Sequence, residues 1–313
     1  MKSSARRPML AMPRDRLCND GLAASDIGSD DDVETRLMPR WGVSNVPQIF
    51  DRALARRRRE RAAPGFDAFD FLAARAAAEI TERLAERNEH YATAVCCGAR
   101  RPQVDAERVI AFDSVAAMPP AVVGDEERLP FAAGALDFYA SVLTLHAVND
   151  VPGALAQIRR ALKPNAPFAA AMFGGETLRE LREAFALAEI ESDGGLSPRV
   201  FPFADVREVG NLLQRAGFAE PVVDADTVTV HYNDPLKLLQ DLRGMGESNV
   251  LVERRRTFLK RRTLGRMCEI YVEKFAGADG RVPATFQIYH LSGRARFEAQ
   301  QQPREDSGRM RLS

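Results

Sequence analysis

Three carboxylates stand where apolar runs give way to polar chain: Asp113 after RVIAF (108–112), and Asp125 with Glu126 just beyond PAVV (120–123). An ionised carboxylate only accepts hydrogen bonds, and it can take them from both hydroxyls of a ribose. An acid at the end of the second strand of an open α/β sheet is placed for that task, so Asp113 is a candidate nucleoside ligand. Asp125 and Glu126 reach either an adenine amino group or solvent. The run YATAVCC (91–97) ends at Gly98, and Arg100 follows where a nucleotide loop would carry another glycine. Ser141 to His146 close a fourth apolar run, and His146 is either a structural residue or part of a ligand wall. Gly174-Gly175-Glu176-Thr177 opens a helix and reads either as an anion site at its N-terminus or as a plain turn.

Other chemistries are poorly supported. His90, His146, His231 and His290 lie far apart without short ligand spacings, which disfavours a zinc site. There is neither a GxxxxGK phosphate loop nor a nucleophile elbow. Cys18, Cys96, Cys97 and Cys268 form no pair with metal or redox spacing. Cys96 and Cys97 are adjacent, so a strand sends their side chains to opposite faces, as two small buried hydrophobes. That usage fits a reducing compartment and a cytoplasmic location.

The elements that must position these residues follow from periodicity. Strands are expected at 91–97, 108–112, 120–123, 136–143 and 167–173, each continuously apolar, as suits a parallel sheet buried on both faces. A helix at 151–162 stops at Lys163-Pro164, and others are expected at 176–190 and 204–215. PVVDADTVTV (221–230) alternates and reads as added antiparallel strand; helices at 235–243 and 252–276 and a strand in 284–293 follow. Strand–helix alternation of this kind defines a doubly wound α/β sheet. Its ligands sit beyond the carboxyl ends of the strands, which is where the candidate residues fall. Two helices precede the sheet. One covers 50–61, and 68–88 carries Phe69, Leu72, Ala76, Ile80 and Leu84 on one face. The expected organisation is a tail at 1–45, N-terminal helices at 46–90, the main domain at 91–296 and a tail at 297–313.

Lys plus Arg and Asp plus Glu number 44 each, so no global field draws the chain to nucleic acid or membrane. The charge is local. Arg56, Arg57, Arg58 and Arg59 make one basic cluster, and Arg254–Arg256 with Lys260–Arg262 another. Each is either a solvated helix face or a contact for an acidic partner or anionic lipid, the latter allowing peripheral membrane contact. No apolar run reaches the roughly 18 residues of a membrane span. The loop Gly244-Met245-Gly246-Glu247-Ser248-Asn249 reads as part of a lid or partner surface.

The stretch from Gly124 to Gly175, with LPF, LDF, LHAVND and LKP in order, resembles the class I S-adenosylmethionine-dependent methyltransferases, and within them the biotin-pathway malonyl carrier-protein methyltransferases. IFDRALARRRRERAA, AMFGGETLRELR, GGLSPRVFPFADVREVGNLLQRAGF, LRGMGESN and GRVPATFQIY are closer to the branch of a mitochondrial respiratory complex I assembly factor with arginine hydroxylase activity, over about residues 49–296. The resemblance implies a mostly parallel seven-stranded sheet of Rossmann-like methyltransferase type, with N-terminal helices and a helical C-terminal insertion. It implies S-adenosylmethionine as cofactor, with Asp113 on the ribose, Asp125 and Glu126 on the adenine side, and Ser141 to Leu145, Leu143 included, along the cofactor and substrate. It puts the first loop's acid position at Ala94 and its glycine positions at Cys96, Gly98 and Arg100, of which only Gly98 is kept. Arg100 is expected to crowd the pocket, and eleven residues from Gly98 to Arg108 leave little room for a first crossover helix. His146, Gly174, Gly175 and Arg56–Arg59 are the expected substrate or partner contacts. Two functions follow: an S-adenosylmethionine-dependent enzyme with a degenerate first loop, acting on or assisting a respiratory complex I subunit, or a non-catalytic assembly chaperone on the same scaffold.

Overall fold

A computed structural model describes residues 46–118 and 120–296. The expectations for both tails and for Cys18 fall outside the described residues. Seven strands form one sheet: β1 (Tyr91–Cys97), β2 (Ala106–Asp113), β3 (Val122–Val123), β4 (Phe138–Val142), β5 (Pro167–Phe173), β6 (Phe218–Tyr232) and β7 (Val282–Ala295). Their order is β3-β2-β1-β4-β5-β7-β6. The first five run parallel; β7 lies antiparallel between β5 and β6. The continuously apolar β1 and β4 are central and almost wholly buried, as their composition requires. β6 alternates instead, because one of its faces meets solvent and the charged side of a helix.

The helices are α1 (Arg52–Ala62), α2 (Phe71–Arg87), α3 (Val151–Ala161), α4 (Arg179–Asp193), α5 (Val206–Arg215), α6 (Pro235–Gly244) and α7 (Arg261–Phe275). α2 buries Leu72, Ala76, Ala77 and Ile80 and ends at Asn88, whose φ of 48° gives the left-handed turn that stops it. Its solvent side holds β6 through Arg75–Asp226 and Arg83–Asp224. α5 starts with a full capping box, Asp205 and Glu208. α6 and α7 form the helical insertion between β6 and β7.

Two local outcomes shape the site. No helix joins β1 to β2, so the first crossover is bare loop, as its length predicts. The helix expected over 252–276 begins only at Arg261. The start of that span is paired elsewhere, Asp51 N donating to Val250 O at 2.8 Å and Val252 N to Ile49 O at 2.9 Å, and 253–260 run as turn and loop. Backbone engaged across to the N-terminal segment cannot close helical bonds on itself.

Candidate functional site

β1 and β4 are neighbours in space while the chain winds outward from each in opposite directions, so the topological switch lies between them. Beyond their carboxyl ends lies a cleft of about 470 Å³, walled by Gly124 to Glu126, Leu143, Thr144, His146 and Ala147, and by the face of α1. Sequence spacing placed the acids here, and the fold brings them together.

Their partners are the unexpected part. Asp113 is fully buried and takes a two-pronged pair from Arg59, Nη1 to Oδ1 at 2.9 Å and Nη2 to Oδ2 at 2.8 Å. Arg52, two helical turns earlier, donates Nη2 to Asp125 Oδ1 at 2.8 Å and to Glu126, and Nη1 to Ala147 O at 3.0 Å. Burial alone would push the Arg59 guanidinium down; the charge and hydrogen bonds of Asp113 outweigh it and hold Arg59 above its ordinary value. Arg52 is likewise raised: burial opposes, and Glu126 and Asp125 prevail. Both arginines therefore stay cationic against the acids, of which Asp113 and Glu126 are buried and Asp125 is partly exposed.

This corrects the reading of Arg56–Arg59 as one outward-facing cluster. A helix turns 100° per residue, so four consecutive arginines cannot share a face. Arg56 and Arg57 are exposed, Arg58 donates to Asn249 O, and Arg59 points into the cleft. The second basic cluster is also partly internal: Arg254 pairs with Asp51, and Arg255 and Lys260 with Asp193. Arg100, expected to crowd the pocket, turns away to Asp67 and Asp70 and lies over the Phe66 ring.

The remaining candidates divide. Gly98 has φ 116°, and a Cβ there would come within 2.5 Å of Val142 O, so the kept glycine is required by backbone geometry. Cys96 is buried with Tyr91, Ala94, Phe138 and Ala140, and lines none of the main cavities; burial raises its thiol to about 12. Cys97, on the opposite face, sits near Glu126 and Thr144. Ser141 is buried 2.8 Å from the Thr144 hydroxyl, and Leu143 carries a positive φ of 50° at the cleft wall. Gly174 and Gly175 pack on Tyr289 and line neither the cleft nor the neighbouring cavity, which places them as a close-packed turn. His146, whose side chain is 1% exposed, faces Glu247 with Nε2 to Oε2 at 3.1 Å, and rings of Phe173, Phe201 and Phe203 surround it. Its Nδ1 is buried without a partner.

Arg52 was not singled out from the sequence, and Glu247 was read only as a member of the 244–249 loop, a lid or partner surface. Arg52 carries a readable signal, since 52 and 59 are seven apart and share a helix face. The pairing of Glu247 with His146 has none, because the two are 101 residues apart. Glu247 also borders a largely apolar cavity of about 480 Å³ among Phe173, Phe185, Phe201 and Phe286. Asn149 of the LHAVND run accepts from Ile49 N and Phe50 N at 2.8 and 2.7 Å, and Asp150 caps α3. That run therefore anchors the segment leading into α1.

The sheet and its carboxyl-end acids define a chain of the class I S-adenosylmethionine-dependent methyltransferase superfamily, and residues 76–170 match a methyltransferase-domain family. The human protein "Arginine-hydroxylase NDUFAF5, mitochondrial" is 38% identical over 314 residues, covering 93% of this chain and 90% of that one. A malonyl-[acyl-carrier protein] O-methyltransferase from Halorhodospira halophila is 34% identical over 196 residues, covering 62% and 63%. Among solved structures, the YcgJ protein of Bacillus subtilis superposes with a TM-score of 0.48 at 12% identity, covering 69% of this chain and 97% of that one. Within the superfamily, the chain belongs to the family of the NDUFAF5 arginine-hydroxylases.

The superfamily implies S-adenosylmethionine, and the residues in this arrangement do not fit it. Asp113 Oδ1 accepts from Arg59 and from the Val115 amide and Oδ2 accepts from Arg59, so a ribose diol reaches both oxygens only by displacing the guanidinium. No helix follows β1 to offer its N-terminus to the ligand's charged end.

Proposed function

We propose that this protein acts on an arginine-bearing subunit of respiratory complex I, and that the target arginine is taken up by the carboxylates of the cleft. One observation carries the reading: Asp113, Asp125 and Glu126 already grip two guanidinium groups of the chain itself, one of them in two-pronged geometry. A planar fork matched to a carboxylate is specific to arginine, and lysine cannot reproduce it. The name of the human relative, an arginine-hydroxylase, agrees with an arginine target. S-adenosylmethionine enters this reading only as a ligand of an opened cleft. The resemblance of the branch-specific segments points to complex I as the setting. Among the described residues Cys96, Cys97 and Cys268 are unpaired, which supports a reducing cytoplasm, and the exposed arginines of the two clusters support contact with a protein or membrane surface. No helix among the described residues is long and apolar enough to cross a membrane.

The test is a fluorescence-anisotropy titration of the full chain with overlapping peptides from the complex I subunits of the same cell. Binding to an arginine peptide that weakens about tenfold or more when that arginine becomes lysine supports the reading. Equal affinity for the arginine and lysine peptides, or binding to none, rejects it.

A second reading, a non-catalytic assembly chaperone on this scaffold, is favoured by the bare first crossover and the occupied Asp113. It predicts that a bound subunit segment is recovered with its arginine unmodified after incubation in cell extract.

A further inference from the structure

The cleft at the carboxyl ends of β1 and β4 is walled on one side by the chain's own helix, whose arginines reach its acids, and the way that helix is held bears on its purpose. α1 is eleven residues long, and six of them are arginines. Among its residues only Ala62 is buried, whereas α2 buries four apolar side chains. Apolar burial is the term that fixes most helices to a protein; α1 adds only the half-buried Leu54 and Ala55 to the Phe50 cluster, so charge and hydrogen bonds carry much of its hold. Its ends are secured independently: Phe50 is buried with Phe201, Val250 and Leu251 on one side, and Phe66 with Val115 and Met118 on the other. Between those anchors, Arg52 and Arg59 project from one face into the acids.

The fit is incomplete at Arg52 and close at Arg59. Arg52 Nε is buried without a hydrogen-bond partner, which costs free energy in this arrangement. Gly246, with φ 82°, abuts Arg59 so closely that a Cβ would lie 2.9 Å from Arg59 Cγ and 3.1 Å from its Cα. The 244–249 loop is thus pressed against the back of the arginine, and Asn249 O takes a further bond from Arg58. Asp113, for its part, cannot be left bare: a buried carboxylate that loses its only cation is strongly penalised. It releases Arg59 readily only to something that donates hydrogen bonds in its place, and a vicinal diol does so.

We propose that α1 is a self-inhibitory latch: Arg59 and Arg52 stand in the nucleoside slot, and they must leave before a nucleoside ligand engages Asp113. The exchange is of donors on one carboxylate, guanidinium for ribose hydroxyls, and makes or breaks no covalent bond. The proposal rests on the cleft being the working site of the protein. A latch lowers the apparent affinity of any such ligand by the fraction of molecules that are open. Removing the guanidinium therefore raises affinity, the opposite of what removing an ordinary binding residue does.

The test uses the full chain and S-adenosylhomocysteine as probe, titrated by calorimetry into wild type, Arg59→Gln, Arg59→Lys and the double variant Arg59→Gln with Asp113→Asn. The expected result is that Arg59→Gln binds about tenfold tighter or more than wild type. Arg59→Lys, which keeps the charge but loses the fork, falls between them, and the double variant loses the gain. Hydrogen exchange of the 52–62 amides accelerates in Arg59→Gln while β1 and β4 stay protected. If Arg59→Gln unfolds, Arg59→Lys carries the comparison. Equal or weaker binding by the arginine variants, or no binding by any of them, overturns the latch. The arginine-peptide titration reports on the other proposal separately. Tighter nucleoside binding with no preference for arginine peptides upholds the latch and rejects the arginine target, and the reverse pattern rejects the latch alone.

Discussion

Asp113 and Gly98 show how much one residue type constrains. Asp113 was placed by its position at the end of an apolar run, and it lies where that reasoning puts it, at the end of β2. Its partner was not placed, because Arg59 is 54 residues away and nothing local ties the two. Gly98 falls where the resemblance expects a loop glycine, and the structure gives it a reason independent of any ligand. Its φ of 116° and the 2.5 Å approach to Val142 O exclude a side chain. Gly98→Ala is expected to lower stability by about 1–3 kcal/mol, since it forces both strain and a backbone shift. An unchanged midpoint in urea unfolding would show that the loop accommodates a Cβ. Glu126 makes the complementary case. Its side chain is 2% exposed, and Arg52 depends on it. Glu126→Ala leaves a largely buried cation short of its partner and is expected to cost about 3–5 kcal/mol, whereas Asp125→Ala, nearer solvent, costs less. The order of the two urea midpoints checks this, and equal losses would contradict it.

Elements were legible where their periodicity was strong and went astray where a distant segment claimed the backbone. α2 was readable because its apolar stripe repeats at three and four residues, and four of its side chains are buried. The helix expected from residue 252 was misplaced at its start because Val250 and Val252 pair with residues near 50. α1 was readable as a helix, but its facing was not, since a run of arginines offers no apolar stripe to orient it. α5 shows the opposite situation, an end specified by neighbours in sequence. Asp205 accepts from the Arg207 amide and Glu208 reaches back to the Asp205 amide. Asp205→Ala is expected to cost about 1 kcal/mol, and Asp205→Ser to recover most of it. Chemical denaturation of the three proteins would decide, and a loss unrelieved by serine would mean that the cap is not the cause.

For the molecule as a whole, acid is expected to act in part through His290 in the antiparallel strand β7. Burial lowers its imidazole below the ordinary 6.5; Arg83 adds to this, while Glu79, Asp226 and Asp224 oppose it. As pH falls below 6.5 the unfolded chain takes up this proton before the folded one does, so stability declines with acid over that interval. The decline is expected to be shallower in His290→Gln, measured as the change in urea midpoint between pH 7.5 and 5.5. Parallel changes in the two proteins would exclude the histidine.

The amino-acid sequence by itself determined the architecture of this protein. Continuously apolar runs of strand length fit only a sheet covered on both faces, and their alternation with amphipathic helices leaves one way to wind them. It also located the carboxyl-end acids, because a strand's end is a local property. What only the tertiary structure decided is what those acids hold. Arg59 on Asp113, Arg52 on Asp125 and Glu126, and Glu247 on His146 join residues 54 to 101 positions apart. Such pairings follow from the angle at which one helix lies across the sheet, and no spacing along the chain records that angle.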